Sequence, residues 1–286
     1  MVSYFRKPNF IFFGTPDFAA IILRKLCAGG LIPLAVVTNP DRPFGRKKVI
    51  TPPPAKRVAR EYGIPVLQPE TITSDFFKEL RGITADLFIV VAYAKILPAD
   101  LIGLPPRGVL GVHPSLLPKL RGATPIQTAI LNGDENAGTT IFLLDEKVDH
   151  GHIIASAKCQ ISKNYTYEIL MRKLAELSGE LLVETLPKFA ENEITPKQQD
   201  ESLATYTKKF TSEDVFIEPA DLKSAQNGGP EAVIIERKIR ALNPEPGVWT
   251  RDEQEKRLKL LEAEISDGKL KLKKIQLEGK LPQTLI

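Results

Sequence analysis

An α/β fold with an open, mostly parallel sheet, followed by a smaller β-rich domain, is the architecture this sequence predicts. Short continuous apolar runs recur in the first half, as strands buried on both faces require. Helical apolar spacing alternates with those runs. Beyond residue 208 the pattern changes to one helix and then short alternating segments around a hairpin signal, Asp267-Gly268.

The elements follow in order. Phe10 to Phe13 is the first strand, and Gly14-Thr15-Pro16 ends it. Asp17 stands where a helix N-cap belongs, and Phe18 to Cys27 has helical spacing up to Gly29-Gly30. Leu34 to Thr38 is the second strand, and a basic, proline-rich loop runs from Asn39 to Pro54. A helix near Ala55 to Tyr62 and a short strand at Pro65 to Leu67 come next. Leu87 to Ala92 is the most apolar strand, and Val109 to Val112 is another, ended by His113-Pro114. Thr124 to Leu131 reads as a helix closed by Asn132-Gly133. Thr139 to Leu144 and His152 to Cys159 read as strands, and Tyr167 to Leu186 as a long helix closed by Pro187. This alternation predicts a Rossmann-like sheet with ligands beyond the carboxyl ends of its strands. Gly14-Thr15-Pro16, Ala92-Tyr93 and Gly111-Val112-His113 fall at those ends.

The polar stretch from Glu191, with Pro196 and little periodicity, reads as a linker. The expected organisation is residues 1–190, a linker over 191–207, and a second domain over 208–286. In that domain Pro230 to Leu242 is expected to be helical, and Leu258 to Ile265 to pair with Lys269 to Leu277 as part of a small barrel.

Composition narrows the class of protein. A formal net charge of +4 permits a nucleic-acid partner without demanding one. Cys27 and Cys159 stand far apart, which argues against a disulfide framework or a structural zinc site and fits a reducing compartment. No apolar stretch reaches membrane length or resembles a secretory signal, so a cytoplasmic protein without a membrane partner is expected. A monomer is expected.

Two groups stand out chemically. His113 follows a buried strand at its carboxyl end, where catalytic groups of such sheets gather. Asp149 lies in the acidic turn Asp145-Glu146-Lys147-Val148-Asp149-His150-Gly151. His150 and His152 accompany these carboxylates without the spacing of a metal helix, so no metal is expected.

Taken together, Gly111-Val112-His113-Pro114-Ser115-Leu116-Leu117-Pro118, then Arg121-Gly122, Pro125-Ile126-Gln127 and Val148-Asp149-His150-Gly151, resemble the 10-formyltetrahydrofolate-dependent formyltransferases. Phe13-Gly14-Thr15-Pro16-Asp17-Phe18, Thr38-Asn39-Pro40-Asp41-Arg42-Pro43 with the basic run behind it, and Ile239 to Pro244 with Trp249 resemble the members that formylate methionine esterified to initiator tRNA. The resemblance covers nearly the whole chain. It implies a Rossmann-like catalytic domain, a C-terminal OB-like barrel, and 10-formyltetrahydrofolate as co-substrate. It also implies that His113 stabilises the oxyanion and acts as acid, and that Asp149 orients or charges the imidazole. Folate would lie against Ser115, Leu116, Leu117 and Pro118 and against Tyr93, Ala94 and Leu97. Arg42, Arg46, Lys47 and Lys48 would contact tRNA, with Arg42 the key contact.

One departure bears on the chemistry. The family pattern has asparagine where this chain has Gly111. That amide is expected to donate to the formyl oxygen, and losing one such donor costs on the order of 10²–10³ in rate. Three readings stay open: a weakened enzyme, a neighbouring group or water as replacement donor, or a folate- and tRNA-binding homologue without turnover. A sugar-nucleotide or other small-amine N-formyltransferase is the alternative enzyme.

Overall fold

The structure, a computed structural model, describes residues 7–45 and 47–285. Contacts divide the chain into two compact units. The first holds the chain up to Arg121 with residues 138–159 and 171–205, and the second holds residues 122–137 and 160–170 with the chain from Tyr206 onward.

The first unit is built on a seven-stranded sheet. Its strands are β1 (Phe10–Gly14), β2 (Ala35–Val37), β5 (Val66–Leu67), β6 (Leu87–Val91), β7 (Val109–His113), β9 (Asn136–Leu143) and β10 (Ile153–Gln160), in the order β10-β9-β7-β6-β1-β2-β5. Two further strands, β3 (Arg42–Phe44) and β4 (Val49–Thr51), form a separate hairpin, and β8 (Arg121–Gly122) is a two-residue strand. The helices of the first unit are α1 (Asp17–Ala28), α2 (Pro54–Glu61), α3 (Ser74–Arg81), α4 (Ala99–Ile102) and, from Met171 onward, α6 (Tyr167–Ala190); α5 (Pro125–Asn132) belongs to the second unit.

Every residue of β1 is buried, and β1 pairs in parallel with β2 on one side and β6 on the other. That double burial is why its sequence is a continuous apolar run and not an alternating one. The chain builds outward from β1 to β2 and β5, then returns to β6 on the opposite side of β1. The order therefore switches between β1 and β6, and the crevice at their carboxyl ends is where such sheets receive ligands. Strand β9 runs antiparallel to β7, with Gly111 opposite Phe142 and His113 opposite Thr140.

Several local expectations shift. Pro16, not Asp17, is the N-cap of α1; it offers no side-chain cap, and the Asp17 carboxylate sits in the first turn against the positive helix end. The proline-rich loop contains the β3–β4 hairpin, in which Pro43 is tolerated because a two-stranded ribbon leaves an edge free of ladder donors. Pro187 lies inside α6, which continues to Ala190. Burial of Leu186 and Phe189 holds that last turn despite the missing proline N–H. The stretch expected as a linker is part of the first unit as far as Thr205, with Lys197 and Ile153 exchanging backbone hydrogen bonds.

The second unit holds α7 (Pro219–Gln226), which the sequence pattern did not signal, and α8 (Glu231–Leu242). After the short strand β11 (Tyr206–Thr207), its sheet runs β12 (Trp249–Arg251), β13 (Arg257–Ser266), β14 (Lys269–Leu277) and β15 (Gln283–Thr284) in that order. In the domain expected to be OB-like, the described residues form this four-stranded antiparallel sheet. Asp267 and Gly268 adopt φ of 52° and 73°, the left-handed pair that a tight hairpin needs. Asn243 ties helix to sheet: its side-chain amide donates to the carbonyls of Ile239 and Leu260, and its oxygen accepts from the Val248 amide. Among the described residues no helix is long and apolar enough to cross a membrane.

Asp214 in this unit accepts from Lys208 and Thr211, which together hold its carboxyl down at about 2. A depressed carboxyl stabilises the fold above its unfolded value of 3.8, and that contribution is lost as pH falls toward 2. The melting-temperature gap between the native chain and Asp214→Asn should therefore be widest near pH 6 and close steadily below pH 4. A gap independent of pH would mean that the carboxylate charge contributes nothing.

Candidate active site

All of the described candidate residues belong to the first unit. His113 ends β7 with its side chain almost fully buried. Val109, Gly111 and His113 share one face of that strand, by its two-residue period. Its Nε2 donates to the Leu120 carbonyl at 2.8 Å, and its Nδ1 lies 3.5 Å from Asp149 Oδ2. Both ring nitrogens thus face oxygen, and only the doubly protonated ring can donate to both. The imidazole and the carboxylate, 36 positions apart by their numbers, converge. Leu120 was not among the sequence-derived candidates, and nothing in its residue type could have marked it: it acts through its backbone.

The turn after His113 is braced from within. Ser115 Oγ donates to the Lys119 carbonyl at 2.6 Å. Thr140 Oγ1 donates to the Ser115 carbonyl and accepts from the Leu117 amide. Leu117–Pro118 is a cis peptide, and Leu120 has φ of 59°. Ser115 and Leu117 are buried, while Leu116 and Pro118 are partly exposed. The Ser115 hydroxyl is thereby committed to holding the turn.

Tyr93 and Leu97 belong to the core cluster that contains Phe13, Val37, Phe88 and Val109, whereas Ala94 is exposed. The Tyr93 ring meets Phe13 edge-on at 5.5 Å. Its hydroxyl is buried without a hydrogen-bond partner among the described residues, and burial pushes the phenol up to about 12. The group is therefore a protonated donor at neutral pH.

Asp149 sits at φ 49°, in the left-handed region, and its side chain is about one-fifth exposed. Gly151 fixes the same turn: a Cβ there would stand 1.7 Å from the Leu143 carbonyl oxygen, so only glycine permits this close approach.

Gly111 has an equally clear environment. A Cβ at this position would lie 2.4 Å from Leu144 Cδ1 and 2.6 Å from Phe142 Cε1. Phe142, its cross-strand partner, is 3% exposed, so the space of a side chain is filled by apolar atoms from β9 and its continuation.

Arg42 opens the β3–β4 hairpin and pairs with Glu70 at 2.5 Å, both side chains exposed. Lys47 and Lys48 are exposed at the hairpin tip, and Arg46 lies outside the described residues. The hairpin also presents Phe44, Val49 and Ile50 to solvent, each more than half exposed. Its base is fixed by Lys56, a mostly buried lysine that donates to Asp41 at 2.8 Å and to Gln68. That pairing holds the Asp41 carboxyl below its usual range.

Comparison with known proteins gives a consistent result. The pattern of a formyl transferase matches residues 7–186, and that of a formyl transferase C-terminal domain matches residues 230–285. A methionyl-tRNA formyltransferase of Kosmotoga olearia is 45% identical over 259 residues, covering 90% of this chain and 80% of its own. One of Caldicellulosiruptor saccharolyticus is 37% identical over 301 residues, covering 95% and 93%. Among solved structures, the Helicobacter canadensis N-formyltransferase, in complex with folinic acid and dTDP-3-aminofucose, superposes with a TM-score of 0.62. It is 18% identical and covers 91% of this chain and 88% of its own, so the likeness is one of fold.

Proposed function

We infer the reaction from one premise: the chain belongs to the formyl transferase family. It is a folate-dependent formyltransferase that formylates the α-amino group of methionyl initiator tRNA, a step of translation initiation. The donor is 10-formyltetrahydrofolate, and the compartment is the cytoplasm, where charged tRNA is found. The observation that carries this assignment to particular atoms is the 3.5 Å approach of His113 Nδ1 to Asp149 Oδ2 at the top of β7.

The co-substrate supplies an activated formyl group. A neutral amine attacks the formyl carbon, negative charge develops on the formyl oxygen, and one proton must travel from the attacking nitrogen to the leaving N10. The Leu120 carbonyl occupies Nε2, so Nδ1 is the nitrogen that serves the reacting oxygen. Asp149 balances the imidazolium and receives the proton in transit. The apolar sides of Leu117 and Leu97 and the unpartnered Tyr93 hydroxyl suit a flat heterocycle that needs both packing and a donor. Leu116, Pro118 and Ala94 border the same loops.

The hairpin takes the acceptor end of the tRNA. Arg42, Arg46, Lys47 and Lys48 supply phosphate contacts, and the exposed Phe44 supplies a surface for stacking. Arg42→Ala should raise KM for charged tRNA roughly 10- to 100-fold, the worth of one charge-assisted contact. The same change should flatten the salt dependence by about one phosphate contact and leave folate affinity unaltered. Unchanged tRNA kinetics would take the hairpin out of the mechanism. The reading as a whole is tested by formyl transfer to charged initiator tRNA beside a nucleotide-sugar amine. Transfer to the sugar amine alone would overturn it.

A further inference from the structure

Below the two proposed catalytic groups lies a polar cluster that the reaction does not itself require. Arg121 is fully buried, and its guanidinium donates to Gln199 Oε1 at 2.8 Å and to the Glu201 carboxylate at 2.6 and 3.0 Å. Arg121 holds the Glu201 carboxyl below its usual range. Gln199 is itself 5% exposed. Its Nε2 donates to two backbone carbonyls, Asp149 at 3.0 Å and Gly151 at 2.7 Å. One amide therefore uses an acceptor toward Arg121 and both donors toward the turn that carries Asp149.

Both ends of this bridge lead to the histidine. Arg121 follows Leu120, whose carbonyl accepts from His113 Nε2 and whose amide donates to Thr205 Oγ1. On the other side, Asp149 stands at φ 49°, a conformation that a non-glycine residue adopts only when its surroundings impose it. Gly151, pressed against the Leu143 carbonyl, fixes one end of that turn, and Gln199 grips it from both sides of His150.

We propose that Gln199 is a positioning residue of the formyl-transfer site: it holds Asp149 in register with His113 by tying the Asp149–Gly151 turn to the buried Arg121 beside Leu120. This rests on the assignment of His113 and Asp149 as the reacting pair. The histidine is gripped through the segment containing Leu120, the carboxylate through its own main chain, and one side chain joins the two. Small displacements of reacting groups cost as much as two orders of magnitude in rate, which is the leverage such a bridge has.

The test is a double-mutant cycle in the full chain, with kcat and both KM values measured alongside thermal melts. Gln199→Glu keeps the acceptor for Arg121 and replaces the two donors with an oxygen that repels both carbonyls. Its kcat should fall roughly 10- to 100-fold with KM for folate and for tRNA each within about twofold. In an Asp149→Asn background, Gln199→Glu should cost almost nothing further, because the group it positions is already gone. If Gln199→Glu does not fold, the near-isosteric Gln199→Met is carried through the same cycle. Native kcat in the folded Gln199 variants overturns the proposal, as do fully additive losses with Asp149→Asn. If Asp149→Asn and His113→Ala both turn over at the native rate, the reading of the reacting pair falls first and the proposal with it.

Discussion

Replacing His113 with alanine is expected to lower kcat for formyl transfer by roughly 10²–10⁴-fold, the range found for removal of a positioned acid or base. The loss is large because the ring does two things at one point. In the proposed mechanism its Nδ1 serves the developing oxyanion, and the same nitrogen lies 3.5 Å from Asp149 Oδ2. Alanine leaves the carboxylate beside the cleft with no imidazole and the Leu120 carbonyl without its donor. The fold should survive. The hydrogen bond in which Thr139 donates to residue 113 uses the backbone carbonyl, and the loss of one side-chain hydrogen bond costs about 1 kcal/mol. Folate affinity should change little, since Leu97, Leu117 and Tyr93, the residues proposed to hold folate, stay where they are. The decisive measurement is single-turnover transfer to charged initiator tRNA with folate binding measured in parallel. A variant within threefold of the native rate would show that His113 is a packed core histidine, whatever it lies beside.

The parts of this site that sequence reveals are those fixed by local physics. The apolar run Phe10–Phe13 reads as a doubly buried strand because parallel pairing on both sides leaves no polar face to signal otherwise. The position of His113 at a strand end follows from the same logic. Asp267-Gly268 reveals its hairpin because left-handed backbone restricts residue type. Groups that act at long range are invisible in that way. Leu120 contributes a carbonyl, which every residue has. Gln199 sits in a polar, aperiodic stretch that reads as a tether, and its burial depends on Arg121, 78 positions earlier. Phe142 reads as one more apolar strand residue, and only the register that sets it opposite Gly111 turns it into a neighbour of the site. Pro43 and Pro187 mislead for a related reason: their local penalty is real, but an edge ribbon and buried side chains absorb it.

The same register decides what Gly111→Asn will do. On resemblance alone, asparagine should restore a donor and raise the rate. The packing predicts the opposite for the single change. Its Cβ would stand 2.4 Å from Leu144 Cδ1 and 2.6 Å from the Phe142 ring, well inside contact distance. Leu144 is partly exposed and can swing aside, but Phe142 is 3% exposed and has no vacant space to enter. Forcing atoms into a packed core costs typically 1–3 kcal/mol, more than the roughly 0.5–1 kcal/mol recovered by removing a glycine from a strand. The single variant should therefore melt lower and turn over no faster than the native chain. Joining it to Phe142→Ala removes the ring that blocks the amide. In that background the new donor should raise kcat roughly 10²–10³-fold over Phe142→Ala alone, the worth of one oxyanion donor. Thermal melts with formyl transfer on the four chains of this cycle decide it. A single Gly111→Asn variant that is both stable and faster would show that Phe142 yields, and that the aromatic ring does not set the chemistry of this wall.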